Sequence, residues 1–522
     1  MSDPRPPLSP RARRWFAVVA GLVAGVVTLG VAELVAVVLG ASSPFLDVGS
    51  LVIDLAPPGV KEAVIGLVGT GDKIFIGVVL AVVVAALAVA VGLLESRRPP
   101  LGVVLLGLVA VIAIVAATTR VGAGTFAPAP AALGAVAGII VLRHLMTRLR
   151  AWSEPLSRSE SLGGDPRGLE RRGFLRLAVG AGVIAATAGV VARAVGAGAR
   201  AVQAARDAFT LPAAATRVAE PTASEALVVD GLSPWIVPND EFYRIDIALQ
   251  VPAIDPASWS LRIHGMVENE ITLTWHELIA LPLEEHYATL ACVSNYVGGD
   301  LIGNARWLGY PIRALLARAK PLAGADMALS SGPDGFTAGT PLTALQDEKR
   351  AALLAIGMNG EPLPIEHGFP ARMVVPGLYG YVSATKWVTD IEITRFADAE
   401  GYWTPRGWSA LGPVKLASRI DTPTSGASAG DVVVAGVAWA QHTGVSKVEV
   451  QIDDGEWAPA QLAKVVTVDS WLQWTYPWAA TSGSHTLRVR ATDANGALQV
   501  AAEAPPAPDG ATGYHEVQLQ VS

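Results

Sequence analysis

The chain has 522 residues, of which 51% are hydrophobic and 16% charged, with a formal net charge of −7 and one cysteine. Soluble domains carry roughly 25% charged residues, so this balance points to a membrane component, while the acidic net charge gives nucleic acid no electrostatic footprint. The lone cysteine excludes an intrachain disulfide, and no zinc-type Cys/His spacing occurs.

The excess of apolar residues lies before residue 200. Runs at about 15–40, 72–94, 101–118, 130–147 and 174–197 are each near the length that crosses a bilayer. The last two are rich in Gly and Ala, which let helix backbones approach closely. Arg5, Arg11, Arg13 and Arg14 precede the first run, Arg97 and Arg98 follow the second, and eight arginines lie between residues 143 and 176. The opposite loops hold Lys61, Lys73 and Arg120. The positive-inside rule then predicts five crossings, a cytoplasmic N-terminus and an extracytoplasmic location for everything after residue 200.

Glu33 lies within the first run, where a carboxylate either pairs with a neighbouring helix or serves a function. His144 is the one histidine of this half; a b-type haem between membrane helices takes two, so no haem is expected. Residues 170–182, "ERRGFLRLAVGAG", resemble a twin-arginine export signal. Flanking charge alone would explain the arginines, but the order R-R-x-F-L-R is more specific than charge requires. A processing site near "AGARAVQAA" leaves open whether the fifth span stays as an anchor.

Past this point the sequence divides into blocks: 1–150 with four spans, 151–198 with a cytoplasmic loop and the fifth span, and an Ala-rich linker at 199–225. Residues 226–412 mix strand-like stretches ("WSLRIHGMV", "ARMVVPGL") with short helical ones ("WHELIAL"), which predicts an α+β domain rather than a doubly wound sheet. Residues 413–522 run strand after strand, with "DDG" and "ANG" as hairpin turns, and predict an immunoglobulin-like all-β sandwich.

Cys292 ends the strand-like stretch "ATLACV". By itself it reads as a small buried hydrophobe, a nucleophile or a metal ligand. Residues 353–387, "LLAIGMNGEPLPIEHGFPARMVVPGLYGYVSATKW", set His367, Arg372 and Lys386 among apolar strands and Gly/Pro turns. Polar groups so placed find partners or bind something, and this donor set suits an anionic, phosphate-bearing ligand. Glycines in "VGGDLIGNARW" lack the spacing of a phosphate-cradling loop.

That long stretch resembles the molybdopterin-binding core of the sulfite oxidase family. "TLACVSNYVGGDLIGNARWLGYPI" resembles the segment with the molybdenum-ligating cysteine, and "GVAWAQHTGVSKVEVQIDDGEW" the trailing dimerisation domain. The resemblance covers about residues 230–522 and implies a molybdenum–molybdopterin oxidoreductase with Cys292 as metal ligand. It implies pterin binding by His367, Arg372 and Asp334, a phosphate end held by Thr385 and Lys386, a further cofactor contact from Ser383, and a first cofactor loop with Asn239, Tyr243 and Arg244. Tyr296 and Arg306 are the candidates beside the metal, with service to the pterin as the alternative for Arg306, and Trp307 is read as core. One departure stands out: the family follows its cysteine with an arginine-bearing stretch that receives sulfite, whereas "VSNYVGGD" offers Tyr296 and no cation. The expected reaction is two-electron oxygen-atom transfer on a small molecule or sulfoxide, with sulfite oxidation as the alternative. Expected partners are an electron-transfer protein in or near the membrane and a second copy of the chain. A Cys–His hydrolase and a cofactor-free surface receptor are the rival classes.

Replacing Arg171 and Arg172 by lysine preserves charge but removes the arginine pair that an export receptor reads. The first four spans should still insert while residues after 200 stay in the cytoplasm, as protease accessibility on intact cells would show.

Overall fold

The computed structural model describes residues 8–39, 41–55, 72–120, 124–153, 172–176, 179–180, 183, 187 and 200–522. The described residues before 200 form a helical unit, and residues 201–246 with 251–522 form a separate β-rich unit.

Four helices in the first unit are long and apolar enough to cross a membrane, in the stretches where the sequence places its first four spans. They are α1 (Pro10–Leu39), α3 (Asp72–Arg97), α4 (Leu101–Thr118) and α5 (Ala129–Ser153), with a shorter α2 (Pro44–Leu55) between the first two. Most of the fifth apolar run, and Arg171 of the arginine pair, lie outside the described residues. Small residues set the helix spacing. A Cβ on Gly21 of α1 or Gly92 of α3 would overlap the other helix's backbone, and one on Gly138 of α5 would overlap Thr28 of α1. Glu33 accepts a hydrogen bond from the Ser43 hydroxyl at 2.6 Å, and Glu95 receives Arg150 at 3.8 Å.

In the β-rich unit, two sheets precede residue 412. One has the order β2 (Ile271–Thr274), β1 (Ser260–Gly265), β10 (Asp390–Thr394), β5 (Met327–Ser331), β6 (Thr337–Pro341), with β1 and β10 parallel and the other pairs antiparallel. The other is antiparallel: β3 (Glu284–Ala291), β4 (Ile302–Pro311), β7 (Leu353–Met358), β8 (Glu361–Pro362), with β9 (Arg372–Val374) also on β7. All six residues of β7 are buried, which is why "LLAIGM" carries no polar alternation. Short helices join these strands. The α6 helix (Trp275–Ile279) starts with a capping box between Thr274 and Glu277. The α7 helix (Ile312–Ala319) buries Ile312, Leu315, Leu316 and Ala319, a single stripe at helical spacing.

After residue 412 come two four-stranded antiparallel sheets. The first runs β11 (Ala417–Thr422), β12 (Gly430–Trp439), β16 (Leu472–Ala480), β15 (Gln461–Leu462). The second runs β14 (Ala458–Pro459), β13 (Val445–Ile452), β17 (Gly483–Asp493), β18 (His515–Val521). Ile420, Val434 and Trp474 from the first share a core with Val448, Val450, Leu487 and Val489 from the second.

The segment read as a linker is packed, not free. Val202 joins the core of the strands before 412, Arg206 donates to the carbonyls of Leu363 and Pro362, and Ala215 donates to Leu283 O at 2.7 Å. Nor are the α+β and sandwich blocks loosely tethered. Trp235 and Trp471 exchange indole-to-carbonyl bonds, and the Thr289 hydroxyl accepts from Trp471 N at 2.8 Å.

Trp474 is fully buried between the two C-terminal sheets. Trp474→Ala should cost about 3–5 kcal/mol through lost burial and the cavity left behind, measured as a shifted denaturant midpoint for the β-rich unit.

Candidate functional site

Cys292 follows β3 by one residue and is 9% exposed. Its amide donates to Leu301 O at 2.9 Å, and Leu301 N donates back to Asn295 Oδ1 at 2.9 Å, so the turn between β3 and β4 is closed at its base. Burial pushes the thiol pKa up, opposed by hydrogen bonds from Ser294 and by the Lys386 charge. A free thiol here is protonated and a poor nucleophile, whereas a bound metal would deprotonate it.

Around it lies a set of buried cations. His367 ends a single tight turn, Ile365–His367, which Gly368 closes at φ 115°. A Cβ at Gly368 would come within 3.0 Å of Arg372 Cβ and 3.2 Å of Lys386 Cα, so this glycine permits both a left-handed backbone and the approach of three polar segments. Arg372, 4% exposed on β9, donates to His367 O at 3.0 Å and lies 5.2 Å above the Trp307 ring. Lys386 donates to Asp246 Oδ2 at 3.0 Å and to Glu366 O at 2.9 Å. Arg244 meets the same Asp246 oxygen at 3.0 Å.

Burial drives the titrations. It brings Arg372 down to about 10 and Lys386 down to about 8 against the pull of Asp246. Asp334 is pushed up to about 6 by burial and, more weakly, by the Asp246 carboxylate. His367 is held down at about 3 by burial, then by Lys386 and Arg372. Its Nδ1 is buried without a hydrogen-bond partner. Tyr243 is raised by burial and by the neighbouring Cys292.

The structure therefore brings Tyr243, Arg244, His367, Arg372, Lys386 and Asp334 into one electrostatic neighbourhood with Cys292. Asn239 stands at its edge: its side chain donates to Met358 O at 3.3 Å and accepts from Asn359 Nδ2 at 2.9 Å, and its backbone touches His367. Ser383 and Thr385 are wholly buried and already bonded, Ser383 to the Tyr379 carbonyl at 2.9 Å and Thr385 to the Ser330 hydroxyl at 2.7 Å. Tyr296 is 55% exposed on the loop after Cys292. Arg306 is not brought to the thiol: it sits opposite Tyr287 in the β3–β4 ladder and pairs with Glu220. Sequence reasoning missed Asp246, the shared counter-ion, whose only signal was an acid two residues after Arg244 in a strand-like stretch. It also missed Tyr379, a buried phenol whose pKa burial and Cys292 both raise, to about 12.

The residues fit an anionic cofactor. Three basic side chains face two carboxylates, one of them drawn toward neutrality, and an orphaned imidazole nitrogen lies among them. Such an imbalance is costly until an anion enters. Among the described residues, no three His, Cys, Asp or Glu side chains cluster as a metal site, so a metal at Cys292 would take its remaining ligands from a cofactor.

Because the folded His367 pKa of about 3 lies below its ordinary 6.5, the unfolded chain binds a proton in that interval that the folded chain refuses. Stability should fall as pH drops from 6.5 toward 3. His367→Gln should flatten that part of the acid-unfolding curve, and imidazole NMR of cofactor-free protein should show His367 neutral throughout.

Comparison with known proteins matches residues 248–403 to the family described as "Oxidoreductase molybdopterin binding domain". An uncharacterized oxidoreductase, YuiH, of Bacillus subtilis (strain 168) is 31% identical over 158 residues, 30% of this chain and 76% of that protein. Mitochondrial sulfite oxidase of Mus musculus is 29% identical over 272 residues, 44% of this chain and 49% of that protein. The chain thus spans about half the length of the sulfite oxidases it matches. Among solved structures, the sulfane dehydrogenase SoxCD from Paracoccus pantotrophus aligns with a TM-score of 0.45 at 22% identity, over 51% of this chain and 74% of that one. With its lone thiol inside the matched residues 248–403, this chain belongs to the sulfite oxidase family of molybdopterin-binding oxidoreductases.

Proposed function

We propose that this protein is a membrane-anchored oxidoreductase whose β-rich unit lies outside the cytoplasmic membrane and carries molybdenum–molybdopterin with Cys292 as the protein ligand. The observation that carries the reading is the cluster of Arg372, Lys386 and His367, with its orphaned Nδ1, beside the one cysteine. The bound cofactor supplies two-electron oxygen-atom transfer.

The chain's own residues do the rest. Arg372, braced on Trp307, and Lys386, braced on Asp246, hold the cofactor's anionic groups at fixed positions. His367, neutral and with a free Nδ1, donates or accepts one hydrogen bond to the pterin. Asn239, Tyr243, Arg244, Asp334, Ser383 and Thr385 complete the walls, the two buried hydroxyls mainly by fixing the backbone before Lys386. Arg306, paired with Glu220, takes no part at the metal. The C-terminal block, 413–522, is an immunoglobulin-like domain, a reading supported by its two sheets with a shared core, and its role is to join two copies. An electron-transfer partner in or near the membrane accepts or donates the electrons.

The substrate is a small uncharged molecule such as a sulfoxide. The loop after Cys292 offers the Tyr296 phenol where a dianion would need a cation. Sulfite oxidation is the second reading, favoured by the sulfite oxidase relatives.

Purified protein should carry about one molybdenum per chain, and Cys292→Ser should abolish turnover and the thiolate-to-metal visible absorption while leaving the fold intact; full activity in that variant would end the assignment. Sulfite should be a poor substrate. Tyr296→Arg should improve it by roughly one to two orders of magnitude, the worth of one hydrogen bond to a charged group. Efficient sulfite turnover by the unmodified protein would favour the second reading.

A further inference from the structure

The loop that carries Cys292 and Tyr296 is held from the C-terminal block. Arg419, on β11, is more than a hundred residues away in sequence, and its side chain is 9% exposed. Its guanidinium makes three bonds in three directions. Nε donates to Asp421 Oδ1 at 2.6 Å, one terminal nitrogen to Ser233 Oγ at 2.9 Å, and the other to Gly299 O at 2.6 Å. Asp421 uses its second oxygen to accept from Ser233 N at 3.1 Å, so the arginine is clamped on both sides.

The next residue adds a second contact. Ile420 N donates to His515 Nδ1 at 3.0 Å, and the His515 ring lies against Gly298, where any Cβ would overlap it and where φ is +77°. Two successive loop residues, Gly298 and Gly299, are therefore seated on β11 and β18. Within the loop, Gly299 N donates to Tyr296 O at 2.9 Å and Asn295 N donates to Cys292 O at 3.2 Å. Holding the Gly299 carbonyl thus sets the backbone that leads to Tyr296 and back to Cys292.

We propose that Arg419 is a positioning residue for the Cys292 loop: its guanidinium, fixed by Asp421, holds Gly299 and so sets where the thiol and Tyr296 stand relative to the cation cluster. The C-terminal block then completes the site in the same chain, beyond any part in joining copies. The geometric claim is independent of what Cys292 binds; its consequence for turnover rests on the metal-ligand reading. Lysine cannot replace this residue, since one ammonium cannot reach three acceptors set in a planar fork.

The chain's single cysteine makes the test specific. In full-length, cofactor-free protein, the rate of Cys292 alkylation by iodoacetamide and amide exchange over residues 293–301 are measured for the unmodified chain, Arg419→Ala, Arg419→Lys and Asp421→Asn. Arg488→Ala, a surface arginine paired with Glu516 on the same sandwich, is the control. Arg419→Ala should speed alkylation about tenfold or more, the loss of a charge-assisted bond, and raise exchange of the Gly299 neighbourhood. Arg419→Lys should rescue little, and Arg488→Ala should change neither. His515→Ala, which removes the ring under Gly298 and leaves Arg419 in place, should raise exchange over the same residues and serves if Arg419→Ala does not fold. Folded variants at Arg419 and His515 with unchanged alkylation and exchange overturn the proposal. Full turnover in Cys292→Ser would overturn the metal-ligand reading and leave this one standing.

Discussion

Burying Arg372 and Lys386 is the constraint that organises the β-rich unit. Each loses hydration on folding and is shifted downward chiefly for that reason, with the neighbouring Arg372 and Arg244 charges lowering Lys386 further. The chain compensates with what is within reach: the carbonyls of His367 and Glu366, the faces of Trp307 and Trp387, and one carboxylate, Asp246, that Lys386 shares with Arg244. This offsets part of the desolvation and leaves an excess of positive charge facing a neutral imidazole. A fold that keeps such an imbalance is preorganised for an anion, because the ligand supplies the missing charge without reorganising its surroundings. Gly368 is the backbone condition for it, since any side chain there would push the His367, Arg372 and Lys386 segments apart.

The thiol has the opposite problem. Cys292 is buried beside two phenols, Tyr243 and Tyr379, that burial also keeps protonated, and the charge of Lys386 only partly offsets its desolvation. Its environment opposes a free thiolate and so opposes nucleophilic chemistry, and no hydrogen bond joins it to His367 as a Cys–His pair would require. A metal reverses this logic by supplying the positive charge directly. Position then matters more than acidity. The loop carrying the thiol is closed on itself at Leu301 and braced from outside by Arg419.

The helical unit treats its charges differently. Glu33, Asp47 and Glu95 each meet a hydroxyl or an arginine: Ser43 for Glu33, Ser42 and Arg120 for Asp47, Arg150 for Glu95. Carboxylates among apolar helices are expensive unless partnered, and the Ser43 hydroxyl is the partner that the structure gives Glu33. The close helix contacts at Gly21, Gly92 and Gly138 follow the same economy of small residues that the composition of α1, α3 and α5 announces.

Sequence alone determined what depends on local chemistry. Runs of apolar residues set the lengths of the four long apolar helices, continuous burial made β7 apolar throughout, and the one cysteine with the "PLPIEHGFPAR" segment pointed to the candidate site and its charge. Tertiary structure decided the pairings, because a charge in a sequence does not say which partner will reach it. Arg306 lies near Cys292 in sequence, yet strand pairing carries it toward Tyr287 and Glu220. Asp246 reads as an ordinary acid until Lys386, 140 residues later, closes on it. Arg419 reads as a strand residue of a separate block until its guanidinium meets Gly299, 120 residues earlier. Hydrogen bonds and ion pairs act over a few ångströms of space and are indifferent to separation along the chain. The pattern of residues could therefore name candidate groups, and only the folded backbone could choose which of them face one another.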